Sequence, residues 1–369
     1  MSVGSDTPLA KTPLFDEHLR LKGKMVPFAG FEMPVQYPLG ALKEYQAVRD
    51  GKAGLFDISH MGQVRVKGDG ALAFLQYITT NDVSKLVDGQ VHYSALLNEQ
   101  GTFIDDITTY RINDHEYYLC INAANRHKDI AHLNEQAANF DVTVSDESDD
   151  TVLLALQGAE SQNLLQKLTD TDLDSVGYYR FTLTQINGAD AIISRTGYTG
   201  EDGFEIYIPN SAATAIWQLL EESGAEPIGL AARDMLRSEM GYALYGHEIN
   251  DRVTPVEARL MWITKLDKGD FIGREAVEKR KAEGPRQRLV FLKLTARGIP
   301  REHYKVVADG KEVGEVTSGM HSPLAGCGVA IAYVEPKHAA EGDLAIEIRG
   351  KPVPAERTSS PFVRSNVRN

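Results

Sequence analysis

The sequence predicts an α+β fold that is followed by an all-β domain at the C-terminal end. Up to about residue 283, strand-like and helix-like segments mix without the regular strand–helix–strand alternation of a doubly wound sheet. Beyond Gly284-Pro285, short strand-like segments are separated by tight turns such as Asp309-Gly310. With 369 residues, the chain can form two or three domains and bury a substantial core.

The individual elements follow from hydrophobic periodicity and from turn residues. The first 38 residues are rich in glycine and proline, show little periodicity and carry several aromatic residues. Helices are predicted over residues 42–48, 71–79, 126–139, 158–168, 211–222 and 229–241. Strands are predicted over residues 63–67, 93–97, 103–111, 116–121, 151–157, 181–186, 191–195, 206–208, 289–294, 304–307, 313–317, 329–334 and 344–348. Asn187-Gly188 is a strong hairpin signal.

The charge balance makes some classes of partner improbable. The chain has 52 acidic and 39 basic residues, which gives a formal net charge of −13. Nucleic acids are normally bound through basic surfaces, so no nucleic-acid partner is expected.

The first residues show neither a basic, apolar leader nor an arginine-rich transit peptide, and no apolar run reaches membrane-spanning length. We therefore expect a cytoplasmic protein with no membrane partner.

The cysteines and histidines do not form a recognisable metal motif. Cys120 and Cys327 lie far apart in apolar, strand-like surroundings, which predicts two small buried side chains rather than a disulfide. No His-Glu-x-x-His or Cys-x-x-Cys motif occurs, and no Gly-x-Ser-x-Gly elbow is present. We therefore expect no metal site and no acyl-transfer serine.

Residues 195–207 are the most informative stretch of the chain. Gly197, Gly200 and Gly203 are spaced by three and stand among threonines, aromatic residues and three carboxylates. This spacing is neither that of a dinucleotide fingerprint nor that of a P-loop. A loop so rich in glycine lets a ligand or another backbone approach closely. The carboxylates favour a ligand that has donor groups, an aromatic face, or both.

Two adjacent aspartates occupy the predicted strand 103–111. Because strand side chains alternate between faces, Asp105 and Asp106 must point to opposite sides. One of them therefore points toward the more buried side, where a carboxylate is costly unless it is paired or functional. It is either a strand-entry residue that bonds a turn, or a carboxylate whose partner arrives with the ligand.

Three further charged residues have both a structural and a functional interpretation. Glu205 is either an ordinary surface residue or a carboxylate that can pair with a flat N–H edge of a ligand. Arg233 and Arg237 share one helix face, which is either solvated or able to receive a ligand carboxylate.

The chain as a whole resembles the aminomethyltransferase, or T-protein, family of the glycine cleavage system. The resemblance extends from end to end and depends on several motifs taken together. These are residues 12–15 (Thr-Pro-Leu-Phe), 27–37, 54–61, 104–106 (Ile-Asp-Asp), 195–205, 229–239, 314–319 and 361–363 (Pro-Phe-Val).

The resemblance implies a three-domain cloverleaf around a central folate site, with a barrel-like third domain. The implied domains are residues 1–53 with 146–245, residues 54–145 with 246–283, and residues 284–369. The implied reaction moves a methylene unit from an aminomethyl group on the lipoyl arm of a partner, the H-protein, to tetrahydrofolate. Its products are 5,10-methylenetetrahydrofolate, ammonia and the dihydrolipoyl arm.

The same resemblance assigns roles to individual residues. Asp106 matches the catalytic aspartate, which orients the pterin near N5 and acts as a general base or electrostatically. Glu205 matches the glutamate that binds the pterin edge, and Arg233 matches an arginine that contacts folate. The other implied folate-site residues are Tyr93, Tyr110, Asn122 and Tyr198. A C-terminal contact that is tyrosine in some relatives falls on Val367 here.

Two alternatives use the same fold. A folate-dependent demethylase of dimethylsulfoniopropionate would need no H-protein and would release no ammonia. A non-catalytic folate-binding protein of the same superfamily is a different class. Members of that class have a loop that resembles Lys-Gly-Cys-Tyr-x-Gly-Gln-Glu. At residues 195–202 this chain has Arg-Thr-Gly-Tyr-Thr-Gly-Glu-Asp instead. That difference argues against the binding-only alternative.

Overall fold

A computed structural model describes residues 8–368. The N-terminal segment 1–7, which bears on the expectation of no leader, and residue 369 lie outside the described residues. The α-helices within residues 8–368 are α1 (Phe15–Arg20), α2 (Ala41–Arg49), α3 (Ala71–Ile78), α4 (Arg126–Ala137), α5 (Ser161–Leu165), α6 (Ala213–Glu222), α7 (Leu230–Met240) and α8 (Arg274–Glu283). None of these helices has the combination of length and apolar character that crossing a membrane requires.

Within residues 8–368, the strands form one hairpin, two open sheets and a barrel. In chain order they are β1 (Lys24–Phe28), β2 (Phe31–Gln36), β3 (Gly54–Asp57), β4 (Gly62–Lys67), β5 (Gln90–Leu97), β6 (Phe103–Asn113), β7 (Glu116–Ile121), β8 (Thr143–Asp146), β9 (Thr151–Gln157), β10 (Phe181–Ile186), β11 (Ala189–Ser194), β12 (Gly203–Pro209), β13 (Glu226–Pro227), β14 (Arg288–Leu294), β15 (Lys305–Ala308), β16 (Lys311–Ser322), β17 (Cys327–Val334), β18 (Leu344–Ile348) and β19 (Lys351–Thr358).

The first open sheet has six strands in the order β10-β11-β12-β9-β3-β13. Its buried cluster combines strand residues such as Leu154 and Ile206 with Ile216, Trp217 and Leu220 of α6. The last three are spaced as one face of a helix, which explains why α6 covers this side of the sheet. The turn between β10 and β11 is the predicted Asn187-Gly188 pair, with φ of 47° and 80°. Both values match the turn type that suits a two-residue hairpin.

The second open sheet has five strands in the order β5-β6-β7-β4-β8. Helix α3 packs Phe74 and Leu75 into the same buried cluster as Val64, Leu119 and Ile107. Strand β6 lies between β5 and β7, and its two aspartates are paired with β5. The pairing with β7 begins two residues later, at Thr108. On the β7 side, Nδ2 of Asn122 donates to the Asp106 carbonyl at 3.0 Å, so the backbone at the aspartates is held from both sides.

The sheet pairing bears on the expected boundary after residue 53. Strand β3 begins at Gly54 and pairs with β9 of the six-stranded sheet, whereas β4 belongs to the five-stranded sheet. We therefore propose that the first unit extends to Asp57, four residues beyond the expectation, so that β3 stays with the sheet it completes.

Beyond residue 287, six strands close into a barrel in the order β14-β17-β16-β15-β18-β19. Alternate residues such as Leu292, Val306, Ala330 and Ile346 point inward and fill the barrel. The α+β class with a β-barrel-like C-terminal domain is confirmed. A separate buried cluster, with Phe291 and Ile331 from the barrel and Ile263 from the preceding loop, packs the barrel against the rest of the chain.

Some helices and strands were not predicted, because their sequences lack a clear hydrophobic periodicity. The hairpin β1–β2 carries Pro27 and Pro34, and β19 carries Pro352 and Pro354, so proline masks the strand pattern there. Helix α8 is charged nearly all round, and Val277 is its buried residue. Without an apolar stripe, such a helix gives no periodic signal.

Candidate active site

Asp106 is the fourth residue of β6, and two side chains hold its carboxylate. The Tyr93 hydroxyl donates to Oδ2 at 2.8 Å, and Nδ2 of Asn122 donates to Oδ1 at 2.7 Å. Tyr93 comes from the neighbouring strand β5, and Asn122 directly follows the end of β7. Three adjacent strands thus fix one carboxylate.

Asp105 points to the opposite face of β6 and is completely buried. It accepts from the Asn122 backbone N–H at 2.8 Å, from Asn122 Nδ2 at 3.0 Å and from Asn125 Nδ2 at 2.5 Å. The expectation that one of the two aspartates faces the more buried side is confirmed, and Asp105 is that residue. Asn122 contacts both carboxylates and links them.

The surroundings of Asp106 make its carboxyl group easier to protonate than usual. Burial, followed by the neighbouring charge of Asp105, raises the pKa of Asp106 to about 7. The hydrogen bonds from Tyr93 and Asn122 act in the opposite direction, because they favour the ionised form. A group with a pKa near neutrality is suited to general acid–base chemistry.

The three carboxylates of the glycine loop (residues 195–203) and the start of β12 have different roles. Glu201 forms an ion pair with Arg49 at 2.7 Å, and Asp202 forms one with Arg195 at 2.6 Å. Among residues 8–368, Glu205 has no cation within ion-pair distance. Two of these carboxylates therefore hold the loop together, and Glu205 remains available to a ligand.

Glu205 is held in place by a single hydroxyl group. Thr196 Oγ1 donates to Glu205 Oε2 at 2.5 Å and lies 3.0 Å from the Ser194 hydroxyl. Burial raises the pKa of Glu205, while the Thr196 hydrogen bond and the charge of Arg233 act against the increase. The surface-residue interpretation is wrong, because this carboxylate lies in a largely desolvated position.

The three glycines of the loop contact the protein itself, which corrects the interpretation that they admit a ligand. A Cβ on Gly197 would lie 1.9 Å from Gln157 Oε1, and one on Gly203 would lie 2.4 Å from the Leu156 carbonyl. At Gly200 it would lie 2.2 Å from Met240 Sδ. The close approach that glycine permits is therefore the packing of the loop onto β9 and α7.

We expect Gly200→Ala to destabilise the fold by roughly 2–4 kcal/mol, since overpacking and a positive φ both add cost. Gly200 has a φ of 77°, and its missing side chain would overlap Met240. Urea unfolding measures the change. Gly177→Ala is the matched control, because its nearest neighbour would be Arg180 Cγ at 3.6 Å. Equal stability of the two variants would contradict the packing role.

Arg233 and Arg237 differ although they share a helix face. Arg237 is buried and pairs with Asp234 at 2.7 Å and Glu248 at 3.1 Å. Arg233 makes no side-chain hydrogen bond or ion pair within the part of the chain that the structure describes. Its guanidinium lies 4.7 Å above the centre of the Tyr198 ring. Arg237 is thus a structural cation, and Arg233 is free to meet an anionic ligand group.

The remaining predicted residues occupy distinct positions. Tyr198 donates its hydroxyl to the Ala243 carbonyl and stacks on Tyr242 at 5.6 Å. Tyr110 is fully buried, and its hydroxyl accepts from that of Tyr207 at 2.9 Å. A direct ligand contact for Tyr110 stays a prediction, since it lies beneath the surface of the site.

The aspartate half and the glutamate half of the site converge. Glu205 and Asp105 both act on the buried Cys120 thiol, whose pKa is raised first by burial and then by Glu205. On the other side, burial raises the pKa of Tyr198, and the charges of both Arg233 and Asp106 reach this residue. The charge of Arg233 also acts on Glu205, so Asp106, Glu205 and Arg233 lie in one neighbourhood of the fold.

Two further features lie in this region, and the first of them gave no signal in the sequence. The Trp262 ring lies 5.9 Å from that of Tyr93 and is 60% exposed. It lies in a short turn without periodicity, so only the folded chain reveals its place beside Tyr93. The C-terminal segment is the second feature, because Asn366 N–H donates to the Gly200 carbonyl at 2.8 Å. Val367 follows it, half-buried beside the glycine loop.

The region suits a flat, polar ligand better than a metal ion. In the described chain, no group of three or more His, Cys, Asp or Glu side chains is arranged to hold a metal. Instead the site offers an uncompensated carboxylate, an uncompensated guanidinium, and a carboxylate with a near-neutral pKa. A ligand with both a donor edge and an anionic group would satisfy the first two.

Two family descriptions match the chain. Residues 14–268 match the GCVT N-terminal domain, and residues 287–364 match the glycine cleavage T-protein C-terminal barrel domain. The first match alone covers more than half of the chain.

Curated proteins and a solved structure are similar over nearly the full length. The aminomethyltransferase of Desulfitobacterium hafniense (strain Y51) is 46% identical over 97% of this chain and 99% of its own. That of Thermus thermophilus is 47% identical over 96% and 99%. The crystal structure of glycine cleavage system aminomethyltransferase T from Bartonella henselae is 36% identical, covers 97% and 99% of the two chains, and superimposes with a TM-score of 0.92.

Proposed function

The chain belongs to the aminomethyltransferase, or T-protein, family of the glycine cleavage system, and from this premise we propose how its residues carry out the reaction. It is a transferase that uses tetrahydrofolate as co-substrate. The family, the enzyme class and the co-substrate that the sequence motifs implied are confirmed.

The reaction joins a methylene carbon to two nitrogens of folate and involves no redox change. The carbon loses its bonds to the amino nitrogen and to the lipoyl sulfur, and it gains bonds to N5 and N10. The two protons displaced from these nitrogens end on ammonia and on the sulfur. The protein must therefore orient the pterin, keep N5 unprotonated and guide two proton transfers.

We assign two roles to Asp106, namely the orientation of N5 and the acceptance and donation of protons during the reaction. Its carboxylate has one oxygen bonded to Tyr93 and the other to Asn122, so its direction is fixed before the substrate arrives. With a pKa raised to about 7, the group can exchange a proton near neutral pH. In this proposal Tyr93 and Asn122 hold the carboxylate as well as lining the folate site.

Folate recognition falls to the two charged groups that have no ion-pair partner among residues 8–368. Glu205 would accept from the 2-amino and N3–H edge of the pterin, and Arg233 would pair with an anionic group of folate. Tyr198 supports the Arg233 guanidinium from below. Tyr110 is buried close to Glu205, since burial and then the charge of Glu205 raise the pKa of its hydroxyl. The exposed Trp262 ring, beside Tyr93, offers a further flat surface for the ligand.

We propose the lipoylated H-protein as the donor of the aminomethyl group. The family works in a system that contains this carrier, and that membership supports the proposal. The cytoplasmic location expected from the sequence stays a prediction, which cell fractionation would check.

The observation that carries the residue assignment is the coexistence of uncompensated Glu205 and Arg233 with the near-neutral carboxyl group of Asp106. The test mixes the purified chain with tetrahydrofolate and an aminomethylated lipoyl carrier, and measures ammonia. We expect ammonia release that depends on both substrates. Methyl transfer from a sulfonium donor without ammonia would support the demethylase instead, and folate binding without turnover would support the binding-only alternative.

The pH dependence of kcat/KM should report the ionisation of Asp106. The ionised form is the active one, so activity falls as pH drops through a pKa of about 7. Below that value the decrease approaches roughly tenfold per pH unit for a single proton. Ammonia release is measured between pH 5.5 and 9 at subsaturating tetrahydrofolate. Under this condition the acid limb of the kcat/KM profile reports roughly the pKa of Asp106 in the free enzyme. An acid limb centred near the ordinary carboxyl range would contradict the assignment.

A further inference from the structure

Asp129 is a buried acid that the proposed function does not use. It lies in the first turn of α4 and its side chain is fully buried. Within residues 8–368, no backbone N–H, hydroxyl, amide or cationic group donates to either carboxyl oxygen. An ionised carboxylate in such a place would lack both a counter-charge and a hydrogen bond, which is an expensive arrangement.

The charged group that acts most strongly on Asp129 is another carboxyl group, that of Asp105 on the neighbouring strand β6. Two ionised carboxylates cannot bond each other, so one member of the pair must carry a proton. Asp105 already accepts from Asn122 N–H, Asn122 Nδ2 and Asn125 Nδ2. Those donors favour the ionised form of Asp105 and assign the proton to Asp129.

We propose that Asp129 is a positioning residue that keeps its proton at working pH and donates a hydrogen bond to Asp105. Asp105 then stays ionised and holds Asn122. Asn122 Nδ2 lies 3.0 Å from Asp105 Oδ1 and 2.7 Å from Asp106 Oδ1, so its direction fixes that of the reactive carboxylate. The negative charge kept on Asp105 also makes Asp106 the stronger base.

The charged groups around Asp129 agree with this assignment. Burial, then the charge of Asp105, raises the pKa of Asp129 far above its ordinary range. Lys128 is the nearest cation, but its Nζ donates to the Ile104 carbonyl at 2.5 Å and to the Tyr245 hydroxyl at 2.9 Å. The charge of Asp106 on β6 also acts on Asp129, and that of Asp251, in the loop after α7, acts on Lys128. His132 lies one turn further along α4, where burial lowers its pKa.

The proton can be observed without any assay of turnover. Infrared spectra of the wild-type protein at pH 8 should contain the carbonyl band of a protonated carboxylic acid, and Asp129→Asn should reduce the intensity of this band by one carboxyl group per chain. Asp149→Asn is the control, because that side chain is 85% exposed and ionised next to Arg126. Absence of such a band in the wild type, or an unchanged band intensity in D129N, would overturn the proposal.

The positioning role has a second test, which rests on the proposed function. Asp129→Leu keeps the shape but removes the donor, so Asp105 takes up a proton more readily and its charge on Asp106 weakens. We expect the acid limb of kcat/KM in D129L to move to lower pH, and turnover to fall about tenfold. D129N keeps a donor and should return the limb to the wild-type pH with recovered turnover.

These outcomes separate the two proposals. A purely structural Asp129 would lower the melting temperature in both variants and leave the acid limb where it is. The same limb in D129L and wild type would therefore overturn the positioning role. If no variant, wild type included, releases ammonia while the infrared band is still reduced in D129N, then the proposed function fails and the proton assignment stands.

Discussion

Asp106→Asn is expected to reduce ammonia release by roughly 10²–10⁴-fold, as for loss of a positioned acid–base group. The amide keeps the shape of the side chain and can still contact Tyr93 and Asn122, so the site should remain assembled. It cannot take a proton, and it presents no negative charge toward N5. Tetrahydrofolate affinity should change little, because Glu205 and Arg233 are untouched. Single-turnover ammonia release and folate titration measure the two quantities separately.

The control for this variant is Asp114→Asn, a carboxylate at the exposed end of the β6–β7 hairpin whose partner is Arg111. It removes the same charge from the protein without touching the site. Turnover of D106N within threefold of the wild type would refute the role given to Asp106. A parallel collapse of folate binding would instead mean that the carboxylate mainly holds the ligand.

Local sequence patterns predicted the directions of side chains within a single strand or loop. Strand alternation alone required Asp105 and Asp106 to face opposite sides, and the structure has them so. The spacing of the glycine loop marked a close approach, although the approaching groups are Gln157 and Met240 rather than a ligand. Composition could not decide between these two cases, because glycine serves both.

The parts that escaped prediction depend on pairing across long stretches of chain. The ion pair between Arg49 and Glu201 spans 152 positions, and no local pattern distinguishes Glu201 from Glu205. Only the folded chain shows that Glu201 has an ion-pair partner and that Glu205 is available to a ligand. Asp129 is a similar case, since it reads as an ordinary charged residue in the first turn of a helix.

Glu205→Gln should weaken tetrahydrofolate binding by roughly 10–100-fold, since a hydrogen bond to a charged group contributes about 1.5–3 kcal/mol. The amide keeps one acceptor oxygen but loses the charge, and it can turn a donor toward the donor edge of the pterin. The value of kcat at saturating folate should fall much less, because we propose that the reacting carbon lies near Asp106 rather than near Glu205. Isothermal titration with tetrahydrofolate and steady-state kinetics measure the two effects.

The stability of this variant should move in the opposite direction to its affinity. Burial raises the pKa of Glu205, so its ionised form is less favourable in the folded protein than in the unfolded chain above that pKa. Glutamine removes this cost at neutral pH, and the melting temperature should stay level or rise. Glu201→Gln, in the same loop, is the matched comparison, because it breaks the buried pair with Arg49 and should lose stability while keeping folate affinity. Wild-type folate affinity in E205Q would mean that this carboxylate does not bind the donor edge of the pterin.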